Sequence, residues 1–169
     1  IICRSVIILK ILSVNAGSSS LKFQLYEMPE EKVLMSGLME RIGVGNSFYT
    51  IKINGQKIKK EQELNNHEEA FKTLVEELKA NNVVDSLDEI KGIGHRVVQG
   101  GDYFDKTVII DDDVLSKIDE LSPLAPLHNP AAIVGIKAAK DVFPSAVQTA
   151  VFDTAFHQTM PKENYLYAL

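Results

Sequence analysis

Cysteine is nearly missing from this chain: Cys3 stands alone among 169 residues. It cannot form an internal disulfide and has no Cys or His neighbour at zinc-site spacing. A disulfide scaffold and a structural zinc module are therefore excluded, and a reducing, cytoplasmic setting is expected. A basic excess is missing too. Eighteen Lys and Arg against 23 Asp and Glu leave a formal charge of -5, which gives no electrostatic reason to expect nucleic acid or an anionic membrane as partner. Six prolines and ten glycines are too few for a fibrous or low-complexity chain, and 45% hydrophobic content argues against disorder. The length suits one domain.

A long apolar run is also lacking. The stretch from Ile1 to Leu12 is interrupted by Arg4 and Lys10, falls short of the roughly 20 residues a bilayer span needs, and has no basic leader of the kind a secretory signal carries. Ile7 to Val14 is expected as a buried strand, with residues 1–6 an extension outside the domain.

What is present has a clear order. Asn15-Ala16-Gly17-Ser18-Ser19-Ser20 marks a tight turn, after which Leu21, Phe23 and Leu25 alternate with polar residues as the return strand of a hairpin. Val33 to Arg41 and Phe48 to Ile53 are further strands. Asn54-Gly55 turns the second into a Lys-rich edge strand around Ile58. The period then changes: Phe71, Leu74, Val75 and Leu78 predict an amphipathic helix over 67–80, capped by Asn65 or Asn66. Ile90 to Val98, Thr107 to Ile110 and Ala146 to Phe152 read as strands. A helix capped by Asp112 or Asp113 and another opened by Asn129-Pro130 lie among them. Strands first, then strand and helix alternating, predicts one α/β unit with a mixed sheet covered by helices. Met28, Met35 and Met39 are expected in the core.

Four segments could carry chemistry. Asn15 and Ser18 to Ser20 surround Gly17, with Lys22 just beyond; hydroxyls, amides and a cation there suit a phosphate, although an ordinary polar turn is the alternative. The pattern is not a P-loop, which needs a Lys after its second glycine and then a helix. Gly92-Ile93-Gly94-His95-Arg96-Val97-Val98-Gln99-Gly100-Gly101 gives the Arg96 guanidinium glycine neighbours that would not crowd a bound carboxylate or phosphate. Arg96 could equally be a surface residue and His95 a structural one. Leu124 to Pro130 is a proline-stiffened helix entry in which capping explains everything except His128. Asp153, in Val151-Phe152-Asp153-Thr154-Ala155-Phe156-His157, ends an apolar strand at the carboxyl edge, where α/β sheets present functional groups, unless it merely caps the next turn. Asp111 to Asp113 lack the alternation of a calcium loop.

In content and order, NAGSSSLK from Asn15, HRVV from His95, Leu124 to Pro130 and VFDTAFHQTM from Val151 resemble the acetate kinase family, over Lys10 to Leu169. The resemblance implies a ribonuclease-H-like domain of the actin, sugar kinase and Hsp70 superfamily. It implies transfer of the ATP γ-phosphoryl group to acetate, reversibly, with Mg2+, and a cytoplasmic homodimer when full length. Carried over residue by residue, it implies Asn15 on the magnesium side and Lys22, Ser18 and Ser20 near nucleotide phosphate. Arg96 would sit at the acetate carboxylate and transferring phosphoryl group, Val98 and Leu127 around the acetate methyl, and His128 and Asp153 among the catalytic residues. The family describes Asp153 as a proton carrier. Acetate is already ionised at neutral pH, so orientation of magnesium, water or Arg96 is the physical expectation. Gln99 departs from the His often found there. The family continues into a second domain, so residues 7–169 are expected to be an N-terminal half that is inactive alone. A propionate or other short-chain acid kinase, and a non-catalytic phosphate- or partner-binding domain, are the alternatives.

Overall fold

The structure, a computed structural model, describes residues 8–156, 158–164 and 166. The expected extension at 1–6 lies outside the described residues, as do Ile7 and His157. The chain opens with five strands: β1 (Leu9–Gly17), β2 (Ser20–Met28), β3 (Lys32–Glu40), β4 (Phe48–Ile53) and β5 (Gln56–Glu61). Alternation decides which face each presents. On β1, Leu12, Val14 and Ala16 are buried, and across the hairpin they pair with Leu25, Phe23 and Leu21. Met35 and Met39 on β3 and Tyr49, Ile51 and Ile53 on β4 extend the same buried face. Met28, expected in the core, is half-buried at the end of β2. The Lys-rich β5 lies at the edge of the sheet, as its composition predicts.

Helix α1 (His67–Ala80) matches its predicted bounds. Of the two candidate caps it uses Asn66, whose side chain accepts the Glu69 N–H at 2.9 Å. Then come β6 (Ile90–Val97), β7 (Val108–Ile109), α2 (Asp112–Glu120), α3 (Asn129–Val142) and β8 (Val147–Phe152). The cap of α2 is Asp111, one residue before the expected pair, accepting from Val114 N at 2.8 Å; Asp112 and Asp113 fall in the first turn, where carboxylates favour the helix dipole. The expected cap Asn129 is instead the first residue inside α3. His128 takes the cap position without a side-chain capping bond.

The eight strands run in the order β5-β4-β3-β2-β1-β6-β8-β7. β6 is parallel to β1 and to β8, and the other pairs are antiparallel. The crossovers between parallel strands carry the helices, so α1 and α3 pack together and α3 lies on β1 and β6. Its approach is close: a Cβ on Gly135 would stand 2.5 Å from the Ala16 Cβ. One core lies under the antiparallel strands and α1, around Phe23, Phe71 and Phe143. A smaller one joins β6, β8, α2 and α3, where Phe104 stacks on Phe152 at 4.3 Å. A full burial of each such side chain contributes about 1.5–3 kcal/mol. Within the larger core Glu77 is 5% exposed. It accepts from Tyr49 Oη at 2.6 Å and Lys60 Nζ at 2.5 Å. Burial pushes its carboxyl up, and the bonds from Lys60, Tyr49 and Asn81 outweigh that and hold it below its ordinary range. Among the described residues no helix is long and apolar enough to cross a membrane.

Candidate functional site

Because Leu12, Val14 and Ala16 of β1 face the helices, Asn15 rises on the opposite, open face of the sheet. Its cross-strand partner is Lys22, and the partner of Lys22 on β3 is Leu38. On the other side, Val14 pairs with His95. His95 points into the helix layer, so Arg96, the next residue, shares the open face with Asn15. The parallel register sets Arg96 beside Val151 of β8, and β8 ends one residue later, delivering Asp153 into a short 3-10 turn over Asp153–Ala155.

The carboxylate of Asp153 reaches back to Arg96. Arg96 Nε donates to Oδ1 at 3.0 Å and to Oδ2 at 3.1 Å, and Nη2 donates to Oδ2 at 2.6 Å. This fork holds the Arg96 guanidinium more firmly in its charged form than usual. Of the five N–H donors of a guanidinium, Nε and one on Nη2 are engaged by Asp153; the Nη1 pair and the second Nη2 hydrogen meet no acceptor among the described residues.

A cavity of about 270 Å3 opens at this point, lined by Asn15, Ala16, Gly17, Ser20, Lys22, Leu38, Arg96, Val98 and His128. Segments far apart in sequence thus meet: the serine-rich turn, the strand end after His95 and the loop before α3. Asp153 does not line this cavity. It borders another of about 530 Å3 with Lys106, Thr107 and Phe156, and its bonds to Arg96 link it to the first. Ser18 is exposed at the tip of the turn, outside the lining. Leu127, expected beside Val98, is 74% exposed and is also outside it. A third cavity, about 340 Å3, shares Lys22 and Leu38 but runs away along β3 to β5 past Lys52 and Lys57.

His95 is structural. It is 2% exposed and its Nε2 meets Gln148 Oε1 at 2.8 Å. Burial pushes its imidazole down to about 4, against a smaller upward pull from Gln148. The glycines after Arg96 serve packing rather than access: a Cβ on Gly100 would come within 3.0 Å of the Phe152 ring and 3.1 Å of Thr154 Oγ1.

Sequence reasoning missed the side chains that lock these segments. Asn129, fully buried, accepts Gln99 N–H at 3.0 Å and donates to Gln99 O at 3.0 Å and Ile118 O at 3.3 Å. Thr154 Oγ1 accepts Gly100 N–H at 2.9 Å, tying the residue after Asp153 to the loop after Arg96. The signal for Asn129 was visible, but a polar residue before a helical proline reads as a cap. Among the described residues, no three His, Cys, Asp or Glu come together to hold a metal ion.

Known proteins share this sequence pattern and fold. The acetokinase family model matches residues 10–169. An acetate kinase of Bacillus cytotoxicus is 59% identical over 160 residues, covering 95% of this chain and 40% of the relative. One of a Geobacillus species is 56% identical with the same coverage. Among solved structures, Porphyromonas gingivalis acetate kinase superposes with a TM-score of 0.89 at 42% identity, over 95% of this chain and 41% of that one. A propionate kinase from Francisella tularensis does so at 0.84 and 45%, again over 95% and 41%. The chain therefore spans about 40% of the length of the curated relatives it matches, and its mixed sheet is that of the actin-like ATPase fold. Since the family model spans residues 10–169, which take in the turn, the Arg96 strand, the His128 loop and Asp153, the chain belongs to the acetokinase family.

Proposed function

We propose that this chain supplies the phosphate- and carboxylate-facing half of an ATP:acetate phosphotransferase, which forms acetyl phosphate and ADP reversibly. The observation that carries the reading is the cavity that joins Lys22 and Ser20 to Arg96, Val98 and His128, with Asp153 forked onto Arg96. Phosphoryl transfer depends mainly on positioning and on charge stabilisation around the transferring group, and these side chains offer both. Lys22 and the turn hydroxyls of Ser18 and Ser20 would meet nucleotide phosphate. The free donors of Arg96 would hold the acceptor carboxylate and the transferring oxygens, and Val98 would pack against the acceptor's methyl group. His128 can donate to charge developing on the same oxygens. Asp153 fixes the Arg96 plane, which agrees with an orienting role, since an ionised carboxylate acceptor has no proton to give up.

Magnesium binds through one or two carboxylates plus substrate phosphates and keeps several waters. The lining of the cavity holds no carboxylate and one side-chain amide oxygen, on Asn15; Asp153 stands beyond Arg96, in its ion pair. An ion carried in on nucleotide phosphates would take most of its ligands from phosphate and water, Asn15 would meet it directly or through water, and it would neutralise phosphate charge there. A homodimer and a cytoplasmic location accompany the reading for a full-length protein.

The test joins residues 10–169 to the remaining part of the Bacillus cytotoxicus relative and measures acetyl phosphate formation. Turnover of about 1–100 per second is expected from the chimaera and none from the 169-residue chain. An inactive but folded chimaera, or an active chain alone, refutes the proposal. Propionate is the second acceptor to assay, because the Francisella tularensis propionate kinase superposes nearly as well. One methylene in an apolar pocket separates the two acids by about 1–3 kcal/mol.

A further inference from the structure

Beyond the cavity, one buried titratable side chain reaches the serine-rich turn from a distant element. His67 opens α1, is 7% exposed, and places Nε2 2.8 Å from the Gly17 carbonyl oxygen, fifty positions away in sequence. A carbonyl only accepts, so this geometry requires the proton on Nε2. We propose that His67 is a positioning residue for the Gly17–Ser20 turn, fixing the orientation in which the turn meets nucleotide phosphate; the proposal rests on the phosphotransferase reading above.

The argument is one of peptide geometry. The peptide unit is planar and trans, so its C=O and the following N–H point in opposite directions. A donor that fixes the Gly17 carbonyl toward α1 therefore fixes the Ser18 N–H away from α1. Ile42 N–H donates to Ser19 O at 2.9 Å and holds the other side of the turn. Between these two anchors, the backbone that carries the Ser18 and Ser20 hydroxyls has little freedom to rotate. Among the described residues, the His67 ring bonds to Gly17 and to nothing on the Arg96 side of the cavity. Its influence should therefore fall on the phosphate side of the site and spare the carboxylate side. A side chain that only stabilised the fold would affect both.

Three forms of the 169-residue chain make the test: native, His67→Gln, whose amide can still donate to Gly17 O, and His67→Leu, which cannot. In the native chain, nitrogen NMR is expected to show the Nε2-protonated tautomer. Amide exchange at Ser20, the ladder residue that closes the turn against Gly17 and Glu40, should quicken roughly threefold to tenfold in His67→Leu, the equivalent of one net hydrogen bond, while the β4–β5 hairpin stays unchanged and His67→Gln returns to native rates. In the chimaera, His67→Leu should raise KM for MgATP by a similar factor and leave KM for acetate unaltered, with His67→Gln restoring it. An Nδ1-protonated native ring, unchanged turn exchange in His67→Leu, or a rise shared by both KM values and not restored by His67→Gln overturns the proposal. The first two readouts need no activity, so an inactive chimaera counts against the phosphotransferase reading and leaves this one to be decided by tautomer and exchange. If His67→Leu does not fold, the native tautomer and the behaviour of His67→Gln still decide it.

Discussion

Replacing Asn129 by Ala should unlock the loops of the site and cost much of the chain's stability. Its side chain is fully buried, accepts Gln99 N–H and donates to Gln99 O, both at 3.0 Å, and reaches Ile118 O at 3.3 Å. The third contact is long, and Ile118 O keeps a second donor in Ser122 Oγ at 3.4 Å, so the loss is dominated by the two bonds to Gln99. Buried groups left without partners cost about 1–3 kcal/mol each, so Asn129→Ala should lose roughly 2–4 kcal/mol, a large share of an ordinary domain's 5–15 kcal/mol. Urea unfolding followed by circular dichroism measures it: with a slope of about 2 kcal/mol per molar, the midpoint should fall by about 1–2 M. Asn129→Asp sharpens the test. The carboxylate still accepts from Gln99 N–H but turns negative charge toward two carbonyl oxygens, so it should destabilise at least as much at pH 7. At low pH the protonated form can donate one bond and recover part of the loss. The exposed neighbour Leu127→Ala should stay within about 0.5 kcal/mol. A loss under about 1 kcal/mol for both Asn129 variants would refute the clamp.

Other outcomes follow from the same geometry. His95 is neutral when folded because burial lowers its pKa from 6.5 to about 4. Between those values the unfolded chain binds more protons, so stability present above pH 6.5 is lost as pH falls toward 4, by up to about 3 kcal/mol; urea midpoints across that window should fall less steeply in His95→Gln. In the chimaera, Arg96→Leu should lower turnover about a hundredfold, since a lost donor to developing charge costs roughly 2.7–4 kcal/mol, and an unchanged rate with intact folding returns Arg96 to the surface. Asp153→Asn should lower turnover without removing any carboxyl-dependent limb from the pH profile, because an orienting group moves no proton; an Asp153-dependent limb in the parent overturns the orienting role.

The fold was legible wherever one period dominates. Leu21, Phe23 and Leu25 alternate cleanly, Phe71, Leu74 and Leu78 keep a helical stripe, and Asn54-Gly55 names its own turn. What stayed hidden depends on partners distant in sequence. Asn129 looks like a cap until Gln99 and Ile118 arrive beside it. Asp111 displaced its neighbours as cap because its own oxygen lies over Val114 N–H. Glu77 reads as one more solvated helix charge until β4 and β5 bring Tyr49 and Lys60 against it. The site behaved in the same way. Residue types could nominate Lys22, Arg96 and His128, but only the pairing of β1 with β2 and β6, together with the packing of α3 on β1 and β6, shows that they border one cavity. Leu127, one residue before His128 in the same loop, is exposed and lies outside that lining.

The Arg96–Asp153 pair is difficult to explain by stability. Both side chains are well exposed, at 47% and 40%, and exposed ion pairs contribute about 0–1 kcal/mol. The last residues of β6 and β8 are already aligned by their backbone ladder through Val97 and Phe152, and Thr154 adds its own bond to Gly100. Nothing in the packing requires a carboxylate on the guanidinium as well. What the fork does supply is direction. Unpaired, an exposed arginine samples many rotamers and loses up to about 2 kcal/mol of entropy when a ligand fixes it. Held by Asp153 through Nε and Nη2, it has met part of that cost before a ligand arrives. Its remaining donors keep a fixed bearing beside Asn15, Lys22 and His128.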